Sequence, residues 1–198
     1  SFKKSFNIST RNKLKILHVY NRAEKIGSRI YFISTGKKIE NGLIRLMITR
    51  GELEGEPWKY NGPTCIYISI RPISPIINSP VKVVYFNESD YPIIRFIPAI
   101  KSMNYIGNML AKKDAEKFNA YEPVFINHSG FITECAIRNI FYIKGNSLIT
   151  PSEDLGILPG VTRDIIMEIG FELGLKITKT KISRKDVNSM DEAFISSS

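Results

Sequence analysis

From Thr10 to Ile26 the apolar positions, among them Leu14, Leu17 and Ala23, recur at near-helical spacing, with Ser9 or Thr10 able to cap the start and Gly27 placed to end the turn. The spacing predicts a helix. Strand patterns follow. IYFIS (Ile30 to Ser34), GLIRLMIT (Gly42 to Thr49), CIYISI (Cys65 to Ile70) and VKVVYF (Val81 to Phe86) are rich in β-branched and aromatic residues and are broken by Gly, Pro and Asn. This half of the chain reads as a helix packed on a mostly antiparallel sheet.

A Pro-bearing stretch over residues 91–100 punctuates the pattern, which predicts a connection between a small N-terminal domain, 1–90, and a second domain, 101–198. From Lys101 to Phe118 a helix is predicted, with Gly107, Leu110, Ala111, Ala115 and Phe118 on its buried stripe and Lys112, Lys113, Asp114 and Glu116 on its charged back. PVFIN (Pro123 to Asn127), FITE (Phe131 to Glu134) and NIFYI (Asn139 to Ile143) read as strands, and Gly145-Asn146 turns the last of them into SLIT, Ser147 to Thr150. A loop from Thr150 to Gly160 empties into a helix from about Thr162 to Leu173 that Gly174 can terminate. An alternating strand LKITKTKI, a short helical turn after Ser183 and a final EAFIS strand complete an α+β pattern.

Composition narrows the function classes. The 198 residues are 43% hydrophobic, and the longest apolar runs are too short and too interrupted to span a bilayer, so a soluble, cytoplasmic protein is expected. Two cysteines and two histidines offer neither a disulfide framework nor a zinc-ligand spacing. The net charge is +9, but the lysines are scattered rather than gathered in an aromatic-laced stripe. That distribution argues against specific nucleic-acid binding and suits anionic small molecules.

Three features carry candidate chemistry. GILPGVTRD, Gly156 to Asp164, delivers Val161 and Thr162 to the first turn of a helix, where free N–H groups and a hydroxyl can receive an anion; simple capping by Thr162 is the bland alternative. Glu134, in ITECAIRNIF, closes one apolar run and precedes another, placing a carboxylate at a partly desolvated site or, less eventfully, at a solvated strand edge. Lys101, in AIKSMNY, follows apolar residues and proline, so its amine can be a desolvated nucleophile or a lysine reaching water.

In this order and spacing, the lysine segment, the glutamate segment, the GILPGVTRD loop and DEAFISSS resemble the class IV aminotransferase family, with LIRLMITRG, Leu43 to Gly51, adding a shorter match. The resemblance implies a two-domain fold-type IV enzyme, with a small N-terminal α/β sandwich-like domain and a larger C-terminal pseudo-barrel, using pyridoxal 5'-phosphate. By position, Lys101 matches the lysine that forms the internal aldimine and shuttles a proton, and Glu134 the acid that pairs with the pyridine nitrogen. Leu158 matches the apolar residue against the ring; Gly160, Val161 and Thr162 match the phosphate loop; Ser198 stands where a threonine usually bonds the phosphate, with Ser197 beside it. Tyr105 matches a tyrosine that reaches the phenolic oxygen in some branches. Arg45, which matches an arginine common to most branches, and Arg138 are the candidate substrate-side or replacement cations.

The family's phosphate-gripping arginine falls at about Ser1, so the N-terminal domain is expected to be incomplete and the C-terminal one to lack its last segment. The four-residue step from Lys101 to Tyr105, without an extra glycine before Asn104, is similar to the D-amino-acid aminotransferase and aminodeoxychorismate lyase branches. The implied activity is transamination between an amino acid and a 2-oxo acid in a homodimer. A β-eliminating lyase and a truncated non-catalytic homologue are the alternatives.

Overall fold

A computed structural model describes residues 29–34, 42–51, 55–56, 58, 63–73 and 79–197; the helix expected over 10–26 and the residue Ser198 lie outside them. The chain divides into two compact units, Ser1–Asn78 and Ser79–Ser198. The division therefore precedes the stretch 91–100, where the sequence suggested it. The reason is the strand Val83–Asn87, which pairs in parallel with a strand beyond the expected linker, Val83 opposite Glu122 and Asn87 opposite Ile126.

In the first unit three strands, β1 (Arg29–Ser34), β2 (Gly42–Thr49) and β3 (Cys65–Pro72), form a sheet in the order β1-β3-β2. It is mixed rather than mostly antiparallel, because β1 runs parallel to β3 while β2 runs against it. Cys65, Ile66 and Ile68 on the central strand are buried, as expected of a strand with neighbours on both sides.

The second unit holds two four-stranded sheets. One has the order β10-β6-β5-β4, from β4 (Val83–Asn87), β5 (Glu122–Ile126), β6 (Phe131–Cys135) and β10 (Ile182–Ser183); the other has the order β11-β7-β8-β9, from β7 (Asn139–Lys144), β8 (Ser147–Pro151), β9 (Lys176–Thr180) and β11 (Glu192–Ser196). Both sheets contribute to one core, in which Val124, Ile132, Cys135 and Ile182 pack with Ile140 and Tyr142. β7 and β8 form the anticipated hairpin, with Lys144 opposite Ser147 and Gly145 at φ +52°, a conformation that glycine adopts without strain.

Helix α1 covers Ile106–Glu116 and starts five residues later than its sequence pattern suggested, leaving Lys101 in a non-helical segment. Its buried stripe is confined to Gly107, Ala111 and Ala115, while Leu110 and Phe118 stay exposed. Small residues at every fourth position let the helix approach closely: Ala111 packs on Phe125, and a Cβ on Gly107 would collide with the Pro92 carbonyl. Helix α2 (Val161–Glu172) and the one-turn α3 (Arg184–Val187) follow, the latter closed by a capping box between Ser183 and Asp186.

Candidate active site

The β6 sequence FITEC buries Ile132, Thr133 and Cys135, and at its end Glu134 keeps a side chain only 13% exposed. The Glu134 Oε2 accepts the Leu158 N–H at 3.1 Å and a longer contact from Asn139 Nδ2 at 3.5 Å, while its Oε1 pairs with Arg95 Nη1. Asn139, the first residue of β7, also donates to the Leu158 carbonyl at 2.9 Å. Both backbone groups of Leu158 are thereby tied to the ends of β6 and β7, which fixes the loop at the carboxylate. Burial raises the Glu134 carboxyl above its ordinary value, against the pull of Arg95 and the Leu158 N–H.

The loop then reaches Gly160, where a Cβ would run into Asn139 Oδ1, so only glycine passes so close to the amide. Gly160 is the N-cap of α2, and no side chain caps that end; the Thr162 hydroxyl does not take the capping role. Backbone N–H groups in a first turn lack intrahelical partners, and the helix dipole adds positive potential there. Beneath that turn lies Arg163, fully buried, donating to Glu153 Oε1 at 2.6 Å, the Pro151 carbonyl at 2.8 Å and Thr150 Oγ1 at 3.4 Å. It locks the start of α2 to the end of β8. Burial works to raise the Glu153 carboxyl, but the hydrogen bonds from Arg163 and Lys179 prevail and bring it down to about 2.

On β11, Ser196 lies opposite Asn139 and its buried Oγ has no hydrogen-bond partner. Ser197 follows directly and is exposed. Glu134, Leu158, Gly160 and the end of β11 are thus gathered around Asn139, and Val161 and Thr162 follow Gly160 into the first turn of α2. Lys101 is exposed, and its side chain makes no hydrogen bond or ion pair among the described residues; Ile97 and Ile100, which precede it in AIKSMNY and its lead-in, are exposed as well, so no desolvating surroundings are found among the described residues. Tyr105, half-buried, is the N-cap of α1.

The two remaining candidate cations differ in their surroundings. Arg138 donates to Glu122 Oε2 at 2.8 Å and to the Tyr121 hydroxyl at 2.7 Å, so its charge is already matched. Arg45 is exposed on β2, in the first unit. Sequence reasoning missed Asn139, Arg95 and Arg163. Asn139 left a faint signal, a polar residue opening an otherwise apolar strand; the arginines left none, since no local periodicity pairs them with partners seven or more positions away.

A shielded carboxylate, a neighbouring apolar side chain and an uncapped helix start suit a flat nitrogen heterocycle carrying a phosphate. Among the described residues no group of three or more His, Cys, Asp and Glu could hold a metal, and no helix is long and apolar enough to cross a membrane.

The family model for amino-transferase class IV matches residues 22–198. The D-alanine aminotransferase of Listeria monocytogenes serotype 4b is 28% identical over 195 residues, 93% of this chain and 64% of that protein. The aminodeoxychorismate lyase of Bacillus subtilis is 35% identical over 99 residues, 50% of this chain and 34% of that protein. Among solved structures, the branched-chain amino acid aminotransferase of Thermobaculum terrenum in its pyridoxal-phosphate form is 26% identical, with a TM-score of 0.61 over 73% of this chain and 49% of that one. The chain thus spans about a third to two thirds of the length of these relatives. With a single family model covering nearly all of it, the chain belongs to the class IV aminotransferases, a family of pyridoxal-phosphate enzymes.

Proposed function

We propose that this chain carries the cofactor half of an aminotransferase that moves an amino group between an amino acid and a 2-oxo acid, with pyridoxal phosphate attached at Lys101. The observation that carries the reading is the junction of Glu134, Leu158 and Asn139: a largely shielded carboxylate at a strand end, hydrogen-bonded to the loop that feeds an uncapped helix. The cofactor, when bound, supplies the electron sink for a substrate carbanion. The protein's residues do the rest. Glu134 holds the ring nitrogen protonated, Leu158 excludes water from one ring face, and Gly160, Val161, Thr162 and the serines at the end of β11 receive the phosphate. The Lys101 amine, free of partners, is available both to attach the cofactor and to move a proton at the substrate Cα.

Homodimer formation and a substrate role for Arg45 belong to the same proposal and rest on the family resemblance, and a cytoplasmic setting belongs to it on the chain's composition. A β-eliminating lyase is the second reading, favoured by the 35% identity to an aminodeoxychorismate lyase. Titration with pyridoxal phosphate is expected to develop a visible band, and borohydride to fix the cofactor on Lys101. A colourless protein, or a band unchanged by Lys101→Ala, would overturn the assignment. Turnover with paired amino acids and 2-oxo acids, set against pyruvate release from aminodeoxychorismate, separates transaminase from lyase.

A further inference from the structure

Arg95 stands between two carboxylates, only one of which has a place in the cofactor site. Its Nη1 pairs with Glu134, while Nε and Nη2 both reach Glu88 Oε1, at 2.9 and 2.6 Å. Thr133 Oγ1 accepts from Arg95 Nη2 at 3.1 Å and donates to the same Glu88 oxygen at 2.7 Å. The side chains of Arg95, Glu88 and Glu134 are 18%, 15% and 13% exposed, so water screens their mutual interaction weakly.

We propose that Glu88 and Arg95 are positioning residues that set the charge state of Glu134: Arg95 holds it as a carboxylate, and Glu88 limits that effect by engaging two of the three Arg95 nitrogens. The inference rests on Glu134 being the acid that meets the cofactor ring. A carboxylate in that role must be ionised to keep the ring nitrogen protonated, yet burial alone favours its neutral form. Arg95 opposes burial. Glu88 divides the arginine's positive charge and adds a negative one 46 positions before Glu134 in the chain. Among the described residues, the other elements packed on Glu134 bring no further charge: the 156–160 loop offers the Leu158 N–H, β7 offers the Asn139 amide, and Cys135 next along β6 is kept a neutral thiol by burial.

A purely structural clamp and a charge-setting device differ in sign. If the triad only braces β6, Arg95→Gln and Glu88→Gln both loosen Glu134 and move its titration alike. If it sets charge, the two substitutions move the titration in opposite directions. The measurement is the pH titration of the Glu134 carboxyl carbon by NMR in the cofactor-free full chain, assigned through Glu134→Gln. Relative to the unsubstituted protein, Arg95→Gln is expected to raise the midpoint and Glu88→Gln to lower it, each by about one pH unit, with Arg95→Lys restoring most of the shift. Shifts of the same sign, or none, overturn the inference. Should Arg95→Gln fail to fold, Glu88→Gln decides alone: a lower midpoint supports the device and an unchanged or higher one refutes it. Because no cofactor is needed, failure here is distinct from failure of Lys101 to attach pyridoxal phosphate.

Discussion

Two shielded carboxylates, twelve positions apart in the chain, show how differently the same group can be surrounded in one fold. Glu122, at the start of β5, is fully buried and enclosed: it accepts from Lys112 Nζ at 2.7 Å, Arg138 Nη1 at 2.8 Å and the Ile137 N–H at 3.1 Å, and both cations also lie over the Tyr121 ring. Glu134, at the end of β6, has one firm cation, one backbone N–H and one long amide contact. The first is matched by two cations, while the second has one, and its other partners are the neutral Leu158 N–H and Asn139 amide.

The comparison breaks most visibly at Glu122. Glu122→Leu strands two cations on a shared aromatic ring and frees the turn that links β6 to β7, so it is expected to cost about 3 kcal/mol, a fall in Tm of roughly 10 °C. Thermal and urea unfolding check this, and a loss under 1 kcal/mol would show that the cluster is ornamental. Glu134→Gln should do the reverse. Fold stability is expected to stay within about 1 kcal/mol, while affinity for pyridoxal phosphate, read from the visible band, falls roughly ten- to a hundredfold for the loss of one charge-assisted contact.

A smaller effect sharpens the role of the junction residue Asn139. Gly160→Ala places a methyl group against Asn139 Oδ1 and forces the amide away from the Leu158 carbonyl. One hydrogen bond is worth about 1 kcal/mol, so cofactor affinity is expected to drop about fivefold, and Asn139→Ala added to Gly160→Ala to cost little more. Additive losses would mean that the two residues act separately.

The contrast between the two carboxylates was only half legible in the sequence. Local signals were strong: the Gly145-Asn146 turn, the Gly160 entry into α2 and Glu134 at a strand end follow from patterns within a few residues. The partners that decide what each carboxylate does come from far away, Arg95 39 positions before Glu134 and Leu158 24 positions after it. No local periodicity encodes such pairings. The same applies to β4, whose β-branched and aromatic residues marked a strand but could not say that its neighbour lay past residue 120, and to Arg138, whose occupation by Glu122 no neighbouring residue announces. The helix of α1 was misjudged at its start because Lys101 to Tyr105 carries no stop signal, and the small stripe Gly107, Ala111 and Ala115 shows its purpose only against Phe125.

The smallest effect concerns a third carboxylate and distinguishes the anchoring of the helix from the chemistry above it. Glu153, held down at about 2 by Arg163 and Lys179, binds protons less readily when folded than when unfolded, where the ordinary value of 4.5 applies. A depressed carboxyl contributes stability that is fully present above pH 4.5 and is lost as the pH falls toward 2. Glu134, raised by burial, has the opposite slope, since the folded protein takes up its proton first. Glu153→Gln is therefore expected to leave Tm nearly unchanged at acid pH, lower it modestly at pH 6 and flatten the decline between them. Its 40% exposure means that solvent screens much of the interaction, so the change at neutral pH should be small. Buried Arg163 would keep its bonds to Pro151 and Thr150, and the helix start would stay in place. Cofactor affinity at pH 7 should then match that of the unsubstituted chain; a large loss would mean that the ion pair, not the buried guanidinium's other contacts, holds the first turn of α2.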